Sequence, residues 1–132
     1  MIVLDASAAL QWLLNAPSAA RVARRVIEAG RSLHAPHLID LEVAQVLRRY
    51  TSAREVSVAR AEQAFEDFRR IPLTRYPHAV LLPRIWQLRN SLSAYDAAYV
   101  ALAEAIDAPL VTADGKLGRS HGHDAEIEVF EP

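Results

Sequence analysis

The chain has 132 residues, 52% of them hydrophobic, and a formal net charge of −1. That is enough apolar material for a real core and excludes intrinsic disorder. The absence of cysteine excludes disulfides, thiolate zinc sites and cysteine nucleophiles, and fits a reducing cytoplasm.

No stretch approaches the ~20 apolar residues that span a bilayer. The run Met1–Leu4, closed by Asp5, is too short for a signal peptide. The sequence therefore predicts one cytoplasmic domain over residues 1–132. The small net charge does not exclude nucleic acid. Of the 15 basic residues 14 are Arg, with Lys116 the only Lys. The planar guanidinium fork donates two bonds at once to phosphate.

Ile2–Leu4 reads as a short buried strand, followed by a helix through Leu10, Leu13 and Leu14 that Ser7 can cap. Pro17 and Ser18 are start signals for a second helix ending at Gly30, with Val22, Val26 and Ile27 as its buried stripe. Leu33–Ala35 is a second strand before Pro36. A helix over about 38–50 follows, with Leu38, Leu41, Val46 and Leu47 among its apolar positions. The segment 57–70 spaces Ala61, Ala64, Phe65 and Phe68 for one helical face.

Residues 71–74 are a weak strand candidate, and Pro77 opens a helix through Val80, Leu81, Ile85, Trp86 and Leu88. Ser93 caps the next helix, to about Asp107. Strands at 110–112 and 127–129 complete the chain. Short apolar strands alternating with helices predict a three-layer α/β/α sandwich around a mostly parallel sheet of four to five strands. In such sheets the functional crevice lies beyond the carboxyl ends of the strands.

Four acids stand beside apolar runs rather than on charged faces: Asp5, Glu42, Asp96 and Asp114. Each has a sufficient local explanation. Asp5 or Ser7 can cap a helix. Glu42 lies in an early helical turn, with Asp40 the better cap. Asp96 stands at capping-box spacing from Ser93, and Asp114-Gly115 is an ordinary turn. If the fold gathers all four, their repulsion requires a cation, and a hard divalent ion suits oxygen ligands. Two such ions would move the formal charge from −1 to +3.

The blocks Val3–Ala8, Leu41–Val43, Leu92–Ala103 and Leu110–Leu117 together resemble the PIN domain, and most closely the VapC-type toxins of bacterial toxin–antitoxin pairs. The resemblance covers essentially the whole chain, and the Asp96 block is its most specific part. It implies a PIN-like fold and a Mg²⁺- or Mn²⁺-dependent endoribonuclease with Asp5, Glu42, Asp96 and Asp114 as metal ligands. It also implies a cognate antitoxin, a homodimer and a bacterial cytoplasmic location.

Beside the acids, the hydroxyls of Ser7 and Thr112 are placed to orient Asp5 and Asp114. Arg89, Lys116 and Arg119 are the candidate RNA-phosphate contacts nearest the acidic blocks. The pairs His34/His37 and His121/His123 read as solvated rather than as zinc ligands, and no role falls on Asp124. Trp12, Tyr50, Phe65 and Phe68 are core residues by default, with the Phe65/Phe68 helix as the candidate partner surface.

Two other classes remain open at this point. One is a PIN-like RNA- or protein-binding module without turnover. The other is a phosphoacceptor domain, which lacks the expected acidic pair after the first strand, since Asp5 is followed by Ala6.

Overall fold

The structure, a computed structural model, describes residues 1–28 and 32–132. Five strands, β1 (Ile2–Leu4), β2 (Leu33–Pro36), β3 (Leu73–Tyr76), β4 (Leu110–Thr112) and β5 (Ile127–Val129), form one sheet in the order β3-β2-β1-β4-β5. Every neighbouring pair is parallel. Among the described residues seven helices accompany them: α1 (Ala6–Leu13), α2 (Ala19–Glu28), α3 (Ile39–Ser52), α4 (Val58–Arg70), α5 (Leu82–Gln87), α6 (Ala94–Ile106) and α7 (Gly115–Gly118).

Side-chain alternation along the strands creates the three layers. Val3 and Leu110 share a cluster with Val43 and Leu47 of α3, Ala64 and Phe68 of α4, and Tyr99 and Leu102 of α6. Ile2, Leu4, Leu33 and Val111 turn the other way, onto Ala8, Ala9 and Trp12 of α1 and Val26 of α2. Both faces are thus covered, as a wholly parallel sheet requires.

The chain lays down β1, β2 and β3 in one direction and then returns to place β4 on the free side of β1. The strand order therefore reverses between β1 and β4. That reversal opens a crevice at their carboxyl ends, where the flanking connections diverge.

Several local expectations need correction. Asp5, extended at φ −91° and ψ 169°, caps α1 through the Ala8 N–H, so Ser7 lies inside the first turn and is freed for other bonds. On α2, Val22 is buried, but Ile27 is 73% exposed because it is rotated about 100° from Val26. The expected stop at Gly30 lies outside the described residues.

Helix α3 buries Ile39, Val43 and Leu47 at four-residue spacing, leaving Leu41 75% exposed. Asp40 does not cap α3; its carboxylate receives the Arg75 Nε–H at 2.9 and 3.0 Å. Strand β3 begins two residues later than expected, just after Pro72, which has no N–H for a ladder. The helix expected from Pro77 splits into a 3₁₀ turn, Ala79–Leu81, and α5. Pro83 near the start of α5 cannot bond back to the preceding turn.

Helix α4 separates its two phenylalanines. Phe68 is 2% exposed and Phe65 39%. Phe68→Ala is expected to cost about 3–5 kcal/mol of stability, while Phe65→Ala costs under about 1. Urea unfolding of the two variants, read as midpoint shifts at constant slope, checks the difference.

Candidate active site

The crevice between β1 and β4 starts from one buried carboxylate. Asp5 follows the last residue of β1 and is 6% exposed. Its Oδ1 accepts the Ser7 hydroxyl at 2.7 Å and the Ala8 N–H at 2.9 Å. Its Oδ2 accepts the Thr112 hydroxyl at 2.5 Å. Thr112 is the last residue of β4, so this bond joins the two strands at the reversal.

The hydroxyl protons are accounted for. Ser7 and Thr112 each spend their single proton on Asp5. Their oxygens accept the N–H groups of Ala113 at 2.9 Å and Asp114 at 3.0 Å. The two hydroxyl oxygens lie 3.1 Å apart as neighbours on one carboxylate. Ser7 and Thr112 therefore hold Asp5 directly and accept from the backbone that enters Asp114.

Glu42 sits in the first turn of α3 and Asp96 in the first turn of α6. Glu42 Oε1 accepts the Tyr99 hydroxyl at 2.6 Å. Tyr99 is buried at 2% exposure, and burial beside Glu42 raises its pKa, so it stays a donor. Sequence reasoning counts Tyr99 only as part of an apolar run. Its spacing of three from Asp96, one helical turn, is the signal that places both on one face. Asp114 caps the short α7 by accepting the Lys116 N–H at 2.9 Å.

The acids feel one another. Burial lifts the pKa of Asp5 to about 6; bonds from Thr112, Ala8 and Ser7 lower it, and the charge of Asp96 raises it again. Glu42 is raised by burial and by Asp96, against the Tyr99 bond. Asp96 is raised by burial and by Asp114. The charge of Asp96 thus acts on both Asp5 and Glu42, and that of Asp114 on Asp96.

Among the described residues, the five ion pairs use Asp40, Glu66, Glu104 and Glu128 and none of these four. Nor do any three acidic or histidine groups already converge into an ion cage. The donor set nevertheless fits a hard divalent cation: all oxygen, partly desolvated, mutually repelling and without a paired base.

The other candidates separate from this group. Arg89 folds its guanidinium over the Trp86 ring, 4.7 Å from the centroid, and donates to the Trp86 carbonyl at 2.9 Å. Arg119 lines a cleft with Arg21 and Glu131 beside α7. The side chain of Lys116 is exposed next to Asp114. His34 is a buried strand residue rather than a solvated one, bonded to Tyr76 Oη and Ser32 Oγ at 2.6 Å each. His123 braces a turn through Ser120 and Ala125. The Asp124 N–H bonds Glu104, near the opposite end of α6 from Asp96.

The profile of the PIN domain matches residues 2–120. The ribonuclease VapC9 of Mycobacterium tuberculosis is 51% identical over 129 residues, covering 98% of each chain. The chain belongs to the VapC ribonucleases of the PIN-domain family. VapC12 of the same organism is 43% identical over 129 residues, again covering 98% of each chain.

Solved structures share the fold. The VapBC2 structure from Rickettsia felis, bound to a promoter DNA fragment, superimposes with a TM-score of 0.70 at 14% identity, covering 99% of this chain and 100% of that one. VapC20 of Mycobacterium tuberculosis, described as a sarcin–ricin loop cleaving toxin, gives 0.63 at 14% identity, covering 94% and 97%. The fold expected from the PIN resemblance is therefore the fold found. The parallel sheet of this VapC-family chain has five strands.

The raised acids make a pH prediction for the metal-free protein. A carboxyl with a raised folded pKa binds protons more readily folded than unfolded, so its stabilising contribution is lost as pH rises. For Asp5 the window runs from 3.8 to about 6, and the loss is at most about 3 kcal/mol. Glu42 and Asp96 act with the same sign. Urea unfolding in EDTA is expected to show rising stability from pH 7.5 to pH 5, with added Mg²⁺ stabilising more at the higher pH. Thr112→Val removes the largest bond lowering the Asp5 pKa. It is expected to cost about 1–3 kcal/mol at pH 7.5 and to move the Asp5 carboxyl titration upward in NMR.

Proposed function

We propose that this chain is the endoribonuclease toxin of a toxin–antitoxin pair and hydrolyses RNA phosphodiester bonds at a Mg²⁺ or Mn²⁺ site held by Asp5, Glu42, Asp96 and Asp114. The observation that carries this reading is the group of four communicating carboxylates at the β1–β4 reversal, none of them in an ion pair among the described residues. Family membership supports it independently, since the relatives are named ribonucleases.

A divalent cation supplies Lewis acidity, making water a better nucleophile and neutralising charge on the phosphate. The chain's own residues do the rest. A carboxylate has about four acceptor sites. On Asp5, Ser7, Ala8 and Thr112 fill three, leaving one on Oδ2 for a ligand. Tyr99 holds Glu42 by one oxygen and leaves Oε2 available. Ser7 and Thr112 therefore restrict Asp5 to a single orientation, and Asp96 and Asp114 complete the acidic wall. Lys116, exposed and two residues after Asp114, is the proposed contact to substrate phosphate.

The partner chemistry follows the same reading. The VapBC2 complex from Rickettsia felis supports a cognate antitoxin for this chain. The groove between α3 and α4, about 440 Å³ and lined by Leu47, Val58, Ala61 and Phe65, offers it an apolar seat. Phe68, buried in the core, takes no part. Homodimerisation and a bacterial cytoplasmic location complete the proposal. No helix among the described residues is long and apolar enough to cross a membrane.

The test is cleavage of structured RNA by purified protein. Mg²⁺ or Mn²⁺ is expected to support cleavage, while EDTA, Asp5→Ala and Asp96→Ala abolish it. Ser7→Ala, which keeps every acid, is expected to lose about 10–100-fold. Equal cleavage under all these conditions would overturn the reading. RNA binding unaffected by chelation, with no turnover, would identify a binding module instead.

A further inference from the structure

Each of the four acids already holds a protein donor. Asp5 takes the Ser7 hydroxyl and the Ala8 N–H on Oδ1, and the Thr112 hydroxyl on Oδ2. Asp114 Oδ1 takes the Lys116 N–H at 2.9 Å. The Ser93 hydroxyl bonds the Asp96 carboxyl. Glu42 Oε1 takes the Tyr99 hydroxyl at 2.6 Å.

Most of these donors belong to the helix start that carries the acid. Ser7, Ala8, Ser93 and Lys116 each lie two or three residues from their partner. Thr112 is distant, but its oxygen also fixes the Asp114 N–H. Tyr99 differs from all of them. It comes from the buried middle of α6, 57 residues from Glu42, and caps no helix. Its ring is 2% exposed. Phenylalanine would pack there without a hydroxyl to satisfy. The Ala6 N–H, beside Asp5 in the first turn of α1, faces the same hydroxyl oxygen, which leaves the Tyr99 proton for Glu42.

These bonds limit how a cation can be held. A two-oxygen grip needs an open acceptor position on both oxygens of a carboxylate. Asp5 Oδ1 has about two such positions and both are filled. Glu42 Oε1 is turned to a buried hydroxyl. The two acids are thus arranged to offer one oxygen each, Oδ2 and Oε2. Hard cations respond differently to that offer. Mg²⁺ is small and octahedral and keeps several waters, so single-oxygen ligands suit it. Ca²⁺ gathers about 6–8 oxygens and readily takes a carboxylate by both.

We propose that Tyr99 is a positioning residue that acts through Glu42, confining it to a single-oxygen grip and so making the acidic site prefer Mg²⁺ to Ca²⁺. The inference rests on the reading of the four acids as metal ligands. Preference among cations is then set from the core, by a hydroxyl that touches neither the ion nor the RNA. Without that hydroxyl Oε1 is released, and Glu42 is free to turn and take a larger ion with both oxygens.

The experiment reads metal binding without RNA. Bound Mn²⁺ is measured from the loss of its free-ion EPR signal, and Mg²⁺ and Ca²⁺ are used to displace it. Wild type is expected to release Mn²⁺ to Mg²⁺ at lower concentration than to Ca²⁺. Tyr99→Phe is expected to weaken Mg²⁺ by about 10–100-fold while Ca²⁺ holds or tightens. Glu42→Gln is expected to weaken both ions, and Tyr99→Phe added to it to change the preference no further. Glu42→Asp leaves the Tyr99 ring in place but is one methylene short of its hydroxyl. It is expected to lose the preference too, a second route should Tyr99→Phe not fold. In cleavage with Mg²⁺, added Ca²⁺ is expected to inhibit Tyr99→Phe at lower concentration than wild type.

An unchanged preference in Tyr99→Phe and Glu42→Asp, with Mn²⁺ binding still lost in Asp5→Ala, would overturn the inference and leave the metal site standing. Equal weakening of both ions by Tyr99→Phe would assign the hydroxyl a packing role and overturn it as well. Mn²⁺ binding that is absent from wild type, or that survives Asp5→Ala, would overturn the metal site and the inference together.

Discussion

The arrangement depends on keeping the Asp5 carboxylate out of water. An ionised carboxylate in a nearly closed site is costly unless its oxygens are bonded. Here three donors, from α1 and from the end of β4, meet it. The bond from Thr112 matters most for architecture. It ties the first strand to the fourth where the sheet reverses, so a helix cap and a sheet junction become one structure. The bonds lower the pKa of Asp5 but do not cancel the effect of burial.

Glu42, Asp96 and Asp114 are attached to that point by different means, which gives the acidic wall its shape. Asp114 is carried on the backbone that leaves Thr112, and its N–H bonds the same hydroxyl that holds Asp5. Asp96 is fixed by the Ser93 cap of α6. Glu42 comes from α3 and is reached by Tyr99 from α6. A shift of α6 would therefore move Asp96 and Glu42 together, while β4 governs Asp5 and Asp114. The packing of α6 against the sheet, through its fully buried middle, keeps the two pairs in register.

Much of this was legible in the sequence because the relevant signals are local. Apolar runs announce β1, β4 and β5, and Ser93 announces α6 where the structure caps it. The acids were recognisable as a set even though each has an adequate local role. The failures share a cause: they depend on contacts distant in sequence. Whether Asp5 or Ser7 caps α1 is decided by Thr112, which claims both side chains from 105 or more residues away. Asp40 is claimed by Arg75 rather than by its own helix. Tyr99 looked apolar because its hydroxyl partner, Glu42, is 57 residues away. Periodicity also could not say which of the apolar positions on α3 would remain in water, and Leu41 is the one that does.

The same long-range contacts decide what the arginines are for. By number they look like a phosphate-binding surface, yet many are spent on the fold. Arg25, Arg75 and Arg84 each pair with a carboxylate from another element, and Arg60 donates to the Leu13 carbonyl. Arg84 and Glu104 also fasten the segment before β5, through Gly122 and Asp124. A guanidinium paired in this way has its charge offset by its partner, and little of that charge is left for a polyanion.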